Sequence, residues 1–288
     1  MIGIDWGTSS FRAYRLGVDG TVISQVASDA GILHVADGSF AHTLRAAIAP
    51  WLALGETRVL MSGMIGSRQG WVEAPYLPCP AGPADIAANL ATVAFDGADV
   101  RIVPGLIATD AGGTPEVMRG EETQIFGARA TGLVCLPGRH AKWAAVTEAG
   151  ITGFETYLSG EAFAALRFGT ILGRMMTDAP DDAAAFARGI ARSGDPGHLL
   201  HHLFGVRTLG LTGQLAADAS ASYLSGLLIG HEVRAAMPAG ANVTLIGSTA
   251  LCALYTSAIA ALGGTATIGP ADAAAQGLAV IGELAEWI

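Results

Sequence analysis

One carboxylate and three hydroxyl side chains lie close together near the start of the chain. Asp5 belongs to an apolar run that predicts a β-strand, and Gly7, Thr8, Ser9 and Ser10 follow in a segment that predicts a tight turn. Glycine lets a backbone approach a ligand closely, and the N–H groups and hydroxyls of such a turn can bind phosphate oxygens. Asp5 can bind Mg²⁺ directly or through water. The turn therefore predicts phosphate binding, with an ordinary structural hairpin as the alternative.

The same succession of elements occurs again in the middle of the chain. Residues 133–158 predict strand, polar turn, strand, tight turn and strand, as do residues 2–26. This internal repeat predicts two related α/β domains. It would place Gly7–Ser10 and Gly138–Ala141 on opposite walls of one cleft, as a clamp for a nucleotide polyphosphate.

Other segments predict the elements that surround these turns. Residues 84–94 predict a helix, and the proline-rich stretch 73–83 predicts an extended covering loop. The first domain is expected to end near Gly113, and a helix is expected over Pro115–Ala130. Further on, a strand followed by the small residues Gly247 and Ser248 and by a helix predicts a surface for adenosine, although a plain strand–helix unit has the same pattern.

Composition excludes several classes of function. The chain has 288 residues, 51% hydrophobic residues and a net charge of −9, and it has no run of lysine or arginine that would attract nucleic acid. Its three cysteines form no C-x-x-C pair, which argues against a zinc site and a disulfide scaffold and favours the cytoplasm. No secretion signal is expected at the N-terminus. The uncharged stretch 235–271 is interrupted by glycine and proline, so we expect buried elements there and no membrane span.

Four histidines are candidate metal ligands. His198, His201 and His202 have helical spacing, which predicts a solvated helix face more readily than a metal site because no acid or cysteine is nearby in the sequence. His231 is expected to be a core histidine.

Several longer motifs occur in the order of one enzyme family. They are Asp5–Ser9, Gly63–Trp71, Pro104–Leu106, Met118–Gly127, Leu136–Trp143 and Ser159–Glu161. On these segments the chain resembles the 2-dehydro-3-deoxygalactonokinase family, within the sugar kinase, Hsp70 and actin superfamily, along nearly its whole length. The resemblance implies an α/β fold of duplicated actin-like ATPase (ribonuclease H-like) domains flanking a central cleft. Residues 1–113 would carry the first phosphate motif and a sugar-acid loop, and residues 114–288 the second phosphate and adenosine motifs.

The resemblance also implies an activity. The family consists of ATP-dependent kinases, and the expected reaction is phosphorylation of the 6-hydroxyl of 2-dehydro-3-deoxy-D-galactonate in galactonate breakdown, with ATP and Mg²⁺ as cofactors. Expected partners are the sugar acid and the nucleotide, without nucleic acid or membrane, and a homodimer is left open. No Gly-x-x-x-x-Gly-Lys-Ser/Thr motif occurs, which excludes a P-loop kinase.

The nucleotide would be bound by three segments. The residues expected to bind it are Gly7, Thr8, Ser9, Ser10, Gly138, Arg139, His140, Lys142, Gly247 and Ser248. Lys142 or Arg139 could neutralise the charge that develops during phosphoryl transfer. The family's second phosphate loop usually has threonine and serine where this chain has Arg139 and Ala141, so two phosphate-facing hydroxyls would be missing. Arg139 could replace them with charge-assisted hydrogen bonds.

The acceptor hydroxyl needs a carboxylate to take its proton. Asp5 is assigned to the metal, and the remaining acids near the middle of the chain are Asp110, Glu116, Glu121 and Glu122. The segment from Gly120 to Gly127 is similar to the Gly-Asp-Gln segment that carries the base in glycerol-type kinases, which favours Glu121, with Glu122 as the second candidate.

The carboxylate of the substrate needs a cation with fork geometry. Arg68 and Arg119 are the candidates, and Ser67 and Gln69 are expected to bind the substrate beside them. The alternative is that Glu122 and Arg119 form a surface ion pair.

Three other functions are left open by the altered second phosphate loop and by the fold itself. They are a catalytically weak or dead relative that binds a sugar acid and regulates a partner, a kinase of another 2-keto-3-deoxy sugar acid, and an actin-like assembly protein.

Overall fold

The computed structural model describes residues 1–287. The strands in chain order are β1 (Ile2–Trp6), β2 (Phe11–Leu16), β3 (Val22–Ser28), β4 (Arg58–Ser62), β5 (Tyr76–Pro78), β6 (Ala91–Val93), β7 (Asp99–Ile102), β8 (Gly105–Thr109), β9 (Pro115–Met118), β10 (Gly132–Leu136), β11 (Ala141–Thr147), β12 (Gly150–Tyr157), β13 (Asn242–Leu245) and β14 (Thr265–Ile268). The helices are α1 (Phe40–Leu52), α2 (Pro83–Ala87), α3 (Glu121–Ala128), α4 (Ser159–Gly169), α5 (Ala183–Arg192), α6 (Leu199–Leu211), α7 (Ser220–Ala236), α8 (Thr249–Ala261) and α9 (Ala273–Leu284).

Two of the sheets repeat one strand order. The first has the order β3-β2-β1-β4-β7-β6, and the second has the order β12-β11-β10-β13-β14. In each sheet three consecutive strands lie side by side, and two later strands follow next to the first of them: β4 and β7 next to β1, and β13 and β14 next to β10. The first sheet also has β6 at its edge. The duplication predicted from the repeated strand–turn pattern is therefore confirmed.

Register in the first sheet brings chemistry-bearing residues to one edge. β1 pairs antiparallel with β2 and parallel with β4, and Asp5 is the partner of both Arg12 and Ser62. β4 in turn pairs parallel with β7. Parallel neighbours end at the same edge of a sheet, which is where open α/β sheets bind ligands. The register thus places the carboxyl ends of β1 and β4 side by side.

Contacts divide the chain into two compact units. The first contains Met1–Val134, Ala144–Phe154 and the chain from Gly269 onward, and the second contains Cys135–Trp143 and Glu155–Ile268. Gly112 and Gly113 lie in the turn between β8 and β9, where the Asp110 carboxylate accepts the Gly112 N–H at 2.8 Å. The domain boundary expected near Gly113 stays a prediction.

Each unit has its own apolar core. In the first unit Trp6, Phe11, Leu44 and Met61 are among the buried residues that join the sheet to α1. In the second unit the core is built on α7, and Leu224 and Leu227 are fully buried there. Burial of this kind is the dominant favourable term in folding.

Two predicted helices are wrong in part. Pro115–Met118 is a β-strand paired with β8, and the helix expected to begin at Pro115 begins instead at Glu121. Gly120 has a φ of +105°, a conformation that only glycine adopts readily and that separates the strand from the helix. The helix expected over residues 84–94 ends at Ala87, and Ala91–Val93 is a strand paired with β7.

The proline-rich segment is more ordered than expected. It contains β5, which pairs parallel with β8, and β9 completes a third, three-stranded sheet in the order β5-β8-β9. The segment is therefore part of a sheet and is not only a covering loop.

Helices α3 and α9 cross at very short range within the first unit. A Cβ built at Gly277 would lie 1.8 Å from the carbonyl oxygen of Thr123, and one built at Gly127 would lie 1.9 Å from that of Ala273. Contacts below about 3 Å are not compatible with a side chain, so both positions require glycine.

The solvated face expected for the three clustered histidines is wrong for one of them. His202 is fully buried, and its Nδ1 lies 3.0 Å from Nε2 of His231. Its Nε2 lies 3.3 Å from the carbonyl oxygen of Pro196, to which it donates. His202 Nδ1 is then the acceptor and His231 Nε2 the donor. Among residues 1–287, no group of three or more histidine, cysteine or acidic side chains is arranged to hold a metal ion.

This pair predicts acid sensitivity. Burial, followed by the charges of His202, Arg234 and His198, lowers the pKa of His231, so the folded protein binds fewer protons than the unfolded chain below the ordinary histidine pKa of about 6.5. Its contribution to stability is complete above that pH and is lost as the pH falls. Urea unfolding at about pH 7 and at about pH 5 measures this effect. The free energy of unfolding should decrease more between the two pH values for wild type than for His231→Gln.

Replacement of the exposed His42 on α1 provides the control, since that side chain is solvated. Its variant should follow the wild-type pH dependence. Equal pH dependence for wild type and His231→Gln would contradict the assignment.

Cys79, Cys135 and Cys252 are free thiols. Within residues 1–287, no helix combines the length and apolar character needed to cross a bilayer.

Candidate functional site

The turn after β1 has hydrogen-bond donors that no protein group accepts among the described residues. The N–H of Gly7 donates to the carbonyl oxygen of Ser10 at 2.9 Å, which closes the turn. Among the described residues, the hydroxyls and backbone N–H groups of Thr8, Ser9 and Ser10 have no acceptor in the protein. Successive free N–H groups form an anion-binding concavity. The turn therefore has the properties expected of a phosphate site.

Asp5 lies at the root of this turn. Its side chain is only 15% exposed, and Nη1 of Arg12 lies 3.4 Å from its Oδ2. Burial raises the pKa of Asp5, and the charge and hydrogen bond of Arg12 oppose this effect. A buried carboxylate whose ion-pair partner is a half-exposed arginine would be further stabilised by a bound cation.

Three chain segments meet beside Asp5. Gly63 follows β4 with a φ of +96°, and a Cβ built on it would lie 2.8 Å from the carbonyl oxygen of Trp6 and 3.5 Å from Oδ1 of Asp5. A Cβ built on Gly120 would lie 3.1 Å from Cα of Gly63. The start of α3 is therefore brought to the edge of the sheet that carries Asp5, and glycine makes both approaches possible.

The two glutamates at the start of α3 have different surroundings. Glu121 is half-buried, and its Oε2 accepts the backbone N–H of Arg119 at 3.0 Å. Glu122 is fully buried, and both of its oxygens accept the N–H of Gly120, at 2.9 and 2.7 Å. Burial and the neighbouring charge of Glu121 raise the pKa of Glu122 to about 7. Glu122 thus holds the glycine turn in place, while Glu121 retains contact with solvent.

A chain of hydroxyls anchors Glu122 to the sheet. Thr123 Oγ1 donates to Glu122 Oε1 at 2.9 Å and lies 2.7 Å from Ser62 Oγ. Because Thr123 uses its proton on Glu122, Ser62 is the donor to Thr123. The hydrogen bonds are therefore donated from Ser62 to Thr123 and from Thr123 to Glu122. The surface ion pair between Glu122 and Arg119 that was considered as the alternative is wrong, because both residues are buried and the carboxylate binds Gly120 and Thr123.

The four expected substrate-binding residues divide by exposure. Arg119 and Ser67 are buried, at 7% and 9% exposure, and the Arg119 Nη2 donates to the carbonyl oxygen of Ala74 at 2.8 Å. Arg68 and Gln69 are exposed, and Arg68 Nε lies 3.5 Å from Oε1 of Glu73. Of the four residues, Arg119 is thus the cation that is buried away from water, and Ser67 is the buried hydroxyl.

The second phosphate loop packs against the start of α4 in the second unit. A Cβ on Gly160 would lie 2.4 Å from the carbonyl oxygen of Gly138, and the N–H of Glu161 donates to that of Arg139 at 3.0 Å. His140 Nε2 is hydrogen-bonded to Oε2 of Glu161. This bond, together with the charges of His140 and Arg139, lowers the pKa of Glu161. Arg139 and His140 are exposed at the loop, where an anion can reach them.

Two neighbouring residues of this loop are buried. Lys142 Nζ donates to Oγ1 of Thr156 on β12 at 2.9 Å. Ala141 has no exposed surface, so its side chain faces the interior of the protein. The absence of a hydroxyl at position 141 therefore removes no hydrogen-bonding group from the exposed part of the loop.

The expected adenosine turn lies near this loop. Gly247 and Ser248 are exposed, and Ser248 Oγ caps α8 by accepting the N–H of Leu251 at 3.4 Å. A Cβ on Gly247 would lie 3.4 Å from the carbonyl oxygen of Pro137. A cavity of about 240 Å³ opens between the loop and helices α4, α7 and α8. Its walls include Gly138, Ser159, Gly160, Ser222, Ser225, Leu251 and Tyr255.

One buried acid that supports this cavity was not found from the sequence. Glu232 accepts hydrogen bonds from Trp143 Nε1 at 2.8 Å and from the Tyr255 hydroxyl at 2.9 Å. Burial raises the pKa of Glu232, and hydrogen bonds from Ser159, Trp143 and Tyr255 oppose this effect. No local pattern marks Glu232, because its partners come from β11, α4 and α8.

Comparison with known proteins agrees with this geometry. The family model described as 2-keto-3-deoxy-galactonokinase matches residues 5–281. A probable 2-dehydro-3-deoxygalactonokinase of Rhizobium meliloti (strain 1021) is 38% identical over 90% of this chain and 89% of its own length. The 2-dehydro-3-deoxygalactonokinase of Escherichia coli (strain K12) is 35% identical over 96% of this chain and 94% of its own length. This chain belongs to the 2-keto-3-deoxy-galactonokinase family.

Solved structures extend the comparison to the fold. A crystal structure described as that of a 2-dehydro-3-deoxygalactonokinase protein from Sinorhizobium meliloti superposes with a TM-score of 0.89 at 34% identity, over 98% of each chain. The activator of a 2-hydroxyisocaproyl-CoA dehydratase from Clostridium difficile has a TM-score of 0.51 at 12% identity, over 99% of this chain and 96% of its own, which shows the fold alone. This member of the 2-keto-3-deoxy-galactonokinase family has the duplicated actin-like ATPase fold. It is a phosphotransferase with an alcohol acceptor.

Proposed function

We propose that the protein transfers phosphate from ATP to the 6-hydroxyl of 2-dehydro-3-deoxy-D-galactonate, in galactonate breakdown in the cytoplasm. Family membership implies a kinase with ATP as the donor. The observation that carries the proposal is the meeting of Asp5, the free turn Thr8–Ser10 and the start of α3 through the close approach of Gly63 and Gly120. This arrangement puts phosphate-binding donors and carboxylates at one edge of one sheet.

Asp5 fits a magnesium ion. Its buried carboxylate has a raised pKa and only the half-exposed Arg12 nearby, so a divalent cation would offset its charge. Mg²⁺ is usually held by one or two carboxylates together with water and substrate phosphates, which agrees with a single acid here. When bound, the ion would neutralise charge on the phosphates of the nucleotide.

The turn Thr8–Ser10 would bind phosphate oxygens of ATP through its N–H groups and hydroxyls. In the second unit, Gly138, Arg139 and His140 would bind phosphate in the same way. The adenosine would be bound by Gly247 and Ser248 and by the cavity whose walls include Leu251 and Tyr255. Lys142 would act on the phosphate indirectly, through β12, since its ammonium group donates a hydrogen bond to Thr156 on that strand.

Glu121 is proposed as the base that accepts the proton of the 6-hydroxyl. It lies at the start of α3 with contact to solvent, whereas the oxygens of Glu122 are occupied by Gly120 and Thr123. Glu121→Gln should lower kcat by at least about a hundredfold with little change in KM, because general-base catalysis contributes this much.

Glu122→Gln is the matched comparison. It should lower the melting temperature, because a buried amide leaves donors unpaired, but should reduce kcat less than about tenfold. Normal turnover by Glu121→Gln together with a dead Glu122→Gln would reassign the base.

The activity itself is tested by a coupled ADP-release assay over a panel of 2-keto-3-deoxy sugar acids. The galacto acid should give the highest kcat/KM, and the product should be the 6-phosphate by ³¹P and ¹³C NMR. Better turnover of another acid would change the substrate. Absence of ADP release with every acid would favour a sugar-acid-binding relative without activity.

A further inference from the structure

Arg119 carries a buried charge that the protein itself leaves largely uncompensated. The residue follows β9 and is 7% exposed. Nη2 donates to the carbonyl oxygen of Ala74 at 2.8 Å, and Cζ lies 4.3 Å from the ring centroid of Tyr76. Nε and Nη1 are buried and have no acceptor within the described chain. One carbonyl and one aromatic face hold the guanidinium in position while most of its donors stay unused.

A second unused donor belongs to the same segment of the first unit. Ser67 Oγ is also buried and without a partner among residues 1–287. Ser67 directly follows Gly66, and a Cβ built on Gly66 would lie 3.1 Å from Nη1 of Arg119. Gly66 therefore lets the backbone approach the guanidinium closely.

Buried charges in proteins are normally paired, because desolvation of an isolated ion is costly. The acids next to Arg119 in the chain bind backbone groups, since Glu121 accepts the N–H of Arg119 and Glu122 accepts that of Gly120. Among the described residues, Nε and Nη1 of Arg119 have no hydrogen-bond partner. The missing acceptor must then come from outside the chain.

We propose that Arg119 and Ser67 form the binding site for the C1 carboxylate of the sugar acid, and that this site makes the enzyme selective for acids over neutral sugars. The inference rests on the proposed function for the identity of the acid. A carboxylate supplies the negative charge and several acceptor lone pairs, which match the unused donors of a guanidinium and a hydroxyl. The Ala74 carbonyl and Tyr76 ring orient the guanidinium before the substrate arrives.

Arg68 is the competing anchor, and its surroundings do not favour it. Its side chain is 87% exposed and lies near Glu73. A solvated arginine keeps its hydration and contributes little to a single ion pair. Arg119, in contrast, is already desolvated when the substrate binds.

Calorimetric titration with 2-dehydro-3-deoxy-D-galactonate, without ATP, tests the site on the full chain. Arg119→Met should weaken binding by about tenfold to a hundredfold, and Ser67→Ala by about threefold to tenfold, as expected for loss of charged and neutral hydrogen bonds. The C1 amide of the same acid should bind wild type and Arg119→Met equally. Melting temperatures of both variants should equal or exceed that of wild type, because each removes a buried group without a full set of partners.

Arg45→Met is the matched control. Arg45 Nη2 donates to the carbonyl oxygen of Asp96 at 2.7 Å, and its Cζ lies 4.4 Å from the Phe95 ring centroid, so it has the same two contacts as Arg119. It differs in being exposed. Its replacement should leave acid binding unchanged.

The outcomes separate the two proposals. Wild-type binding that Arg119→Met does not alter, or that Arg68→Met weakens more, overturns the carboxylate site and leaves the kinase function standing. Binding that depends on Arg119 without any ADP release supports the site and overturns the proposed function. Failure of the wild type to bind the acid overturns both.

Discussion

Replacing Asp5 by asparagine is expected to lower kcat by about a thousandfold or more while leaving the protein folded. The carboxylate lies where β1 ends, beside the turn whose donors are free for phosphate, and asparagine keeps its shape but removes its charge. Because burial raises the pKa of Asp5, the folded protein gains little from this charge by itself. The melting temperature should therefore be unchanged or higher. Coupled ADP release and thermal unfolding measure the two effects.

Asp19→Asn is the control for this variant. Asp19 lies in the turn between β2 and β3, and its carboxylate accepts the N–H and hydroxyl of Thr21 at 3.1 and 2.7 Å. It is exposed, so its replacement should not affect turnover. An Asp5→Asn protein with more than about a tenth of wild-type kcat would remove Asp5 from the site.

The second large effect concerns stability at the crossing of α3 and α9. Gly277→Ala is expected to destabilise the protein by more than about 3 kcal/mol, because even one methyl group exceeds the space available and neither backbone can move without disturbing a helix. Its Cβ would lie 1.8 Å from the Thr123 carbonyl oxygen. Gly127→Ala should behave similarly, with a Cβ 1.9 Å from the Ala273 carbonyl oxygen. Urea unfolding gives the free energies.

Gly205→Ala separates this packing effect from helix propensity. Gly205 also lies inside a helix, α6, but a Cβ there would meet no atom within 4 Å. Alanine should stabilise this position by about 0.5–1 kcal/mol. Wild-type stability of Gly277→Ala would contradict the close crossing of α3 and α9.

Elements with strong local signals could be predicted from the sequence. The two strand–turn–strand repeats were recognised because alternating apolar residues and glycine turns are local features. Segments with conflicting signals were not. Proline at position 115 suggested the start of a helix, but pairing with β8 across the chain made it a strand.

Residue types at the candidate site were also evident from the sequence. Asp5, the hydroxyl turn and the acids after Gly120 are each marked by spacing within a few residues. Their separate tasks were not evident, because Glu121 and Glu122 are adjacent and chemically alike. The same holds for Arg68 and Arg119, which are both arginines in polar segments.

The sequence by itself determined the class of protein, the repeated succession of strands and turns, and the segments that carry the chemistry, since these depend on local pattern and on motifs. Only the tertiary structure decided which of two like residues is withdrawn from water. Glu122 is buried because α3 begins against Gly63 and Ser62, and Arg119 because β9 pairs with β8 and brings it to Ala74 and Tyr76. Burial is set by residues distant in the chain, and it is burial that shifts a pKa or leaves a charge without a partner.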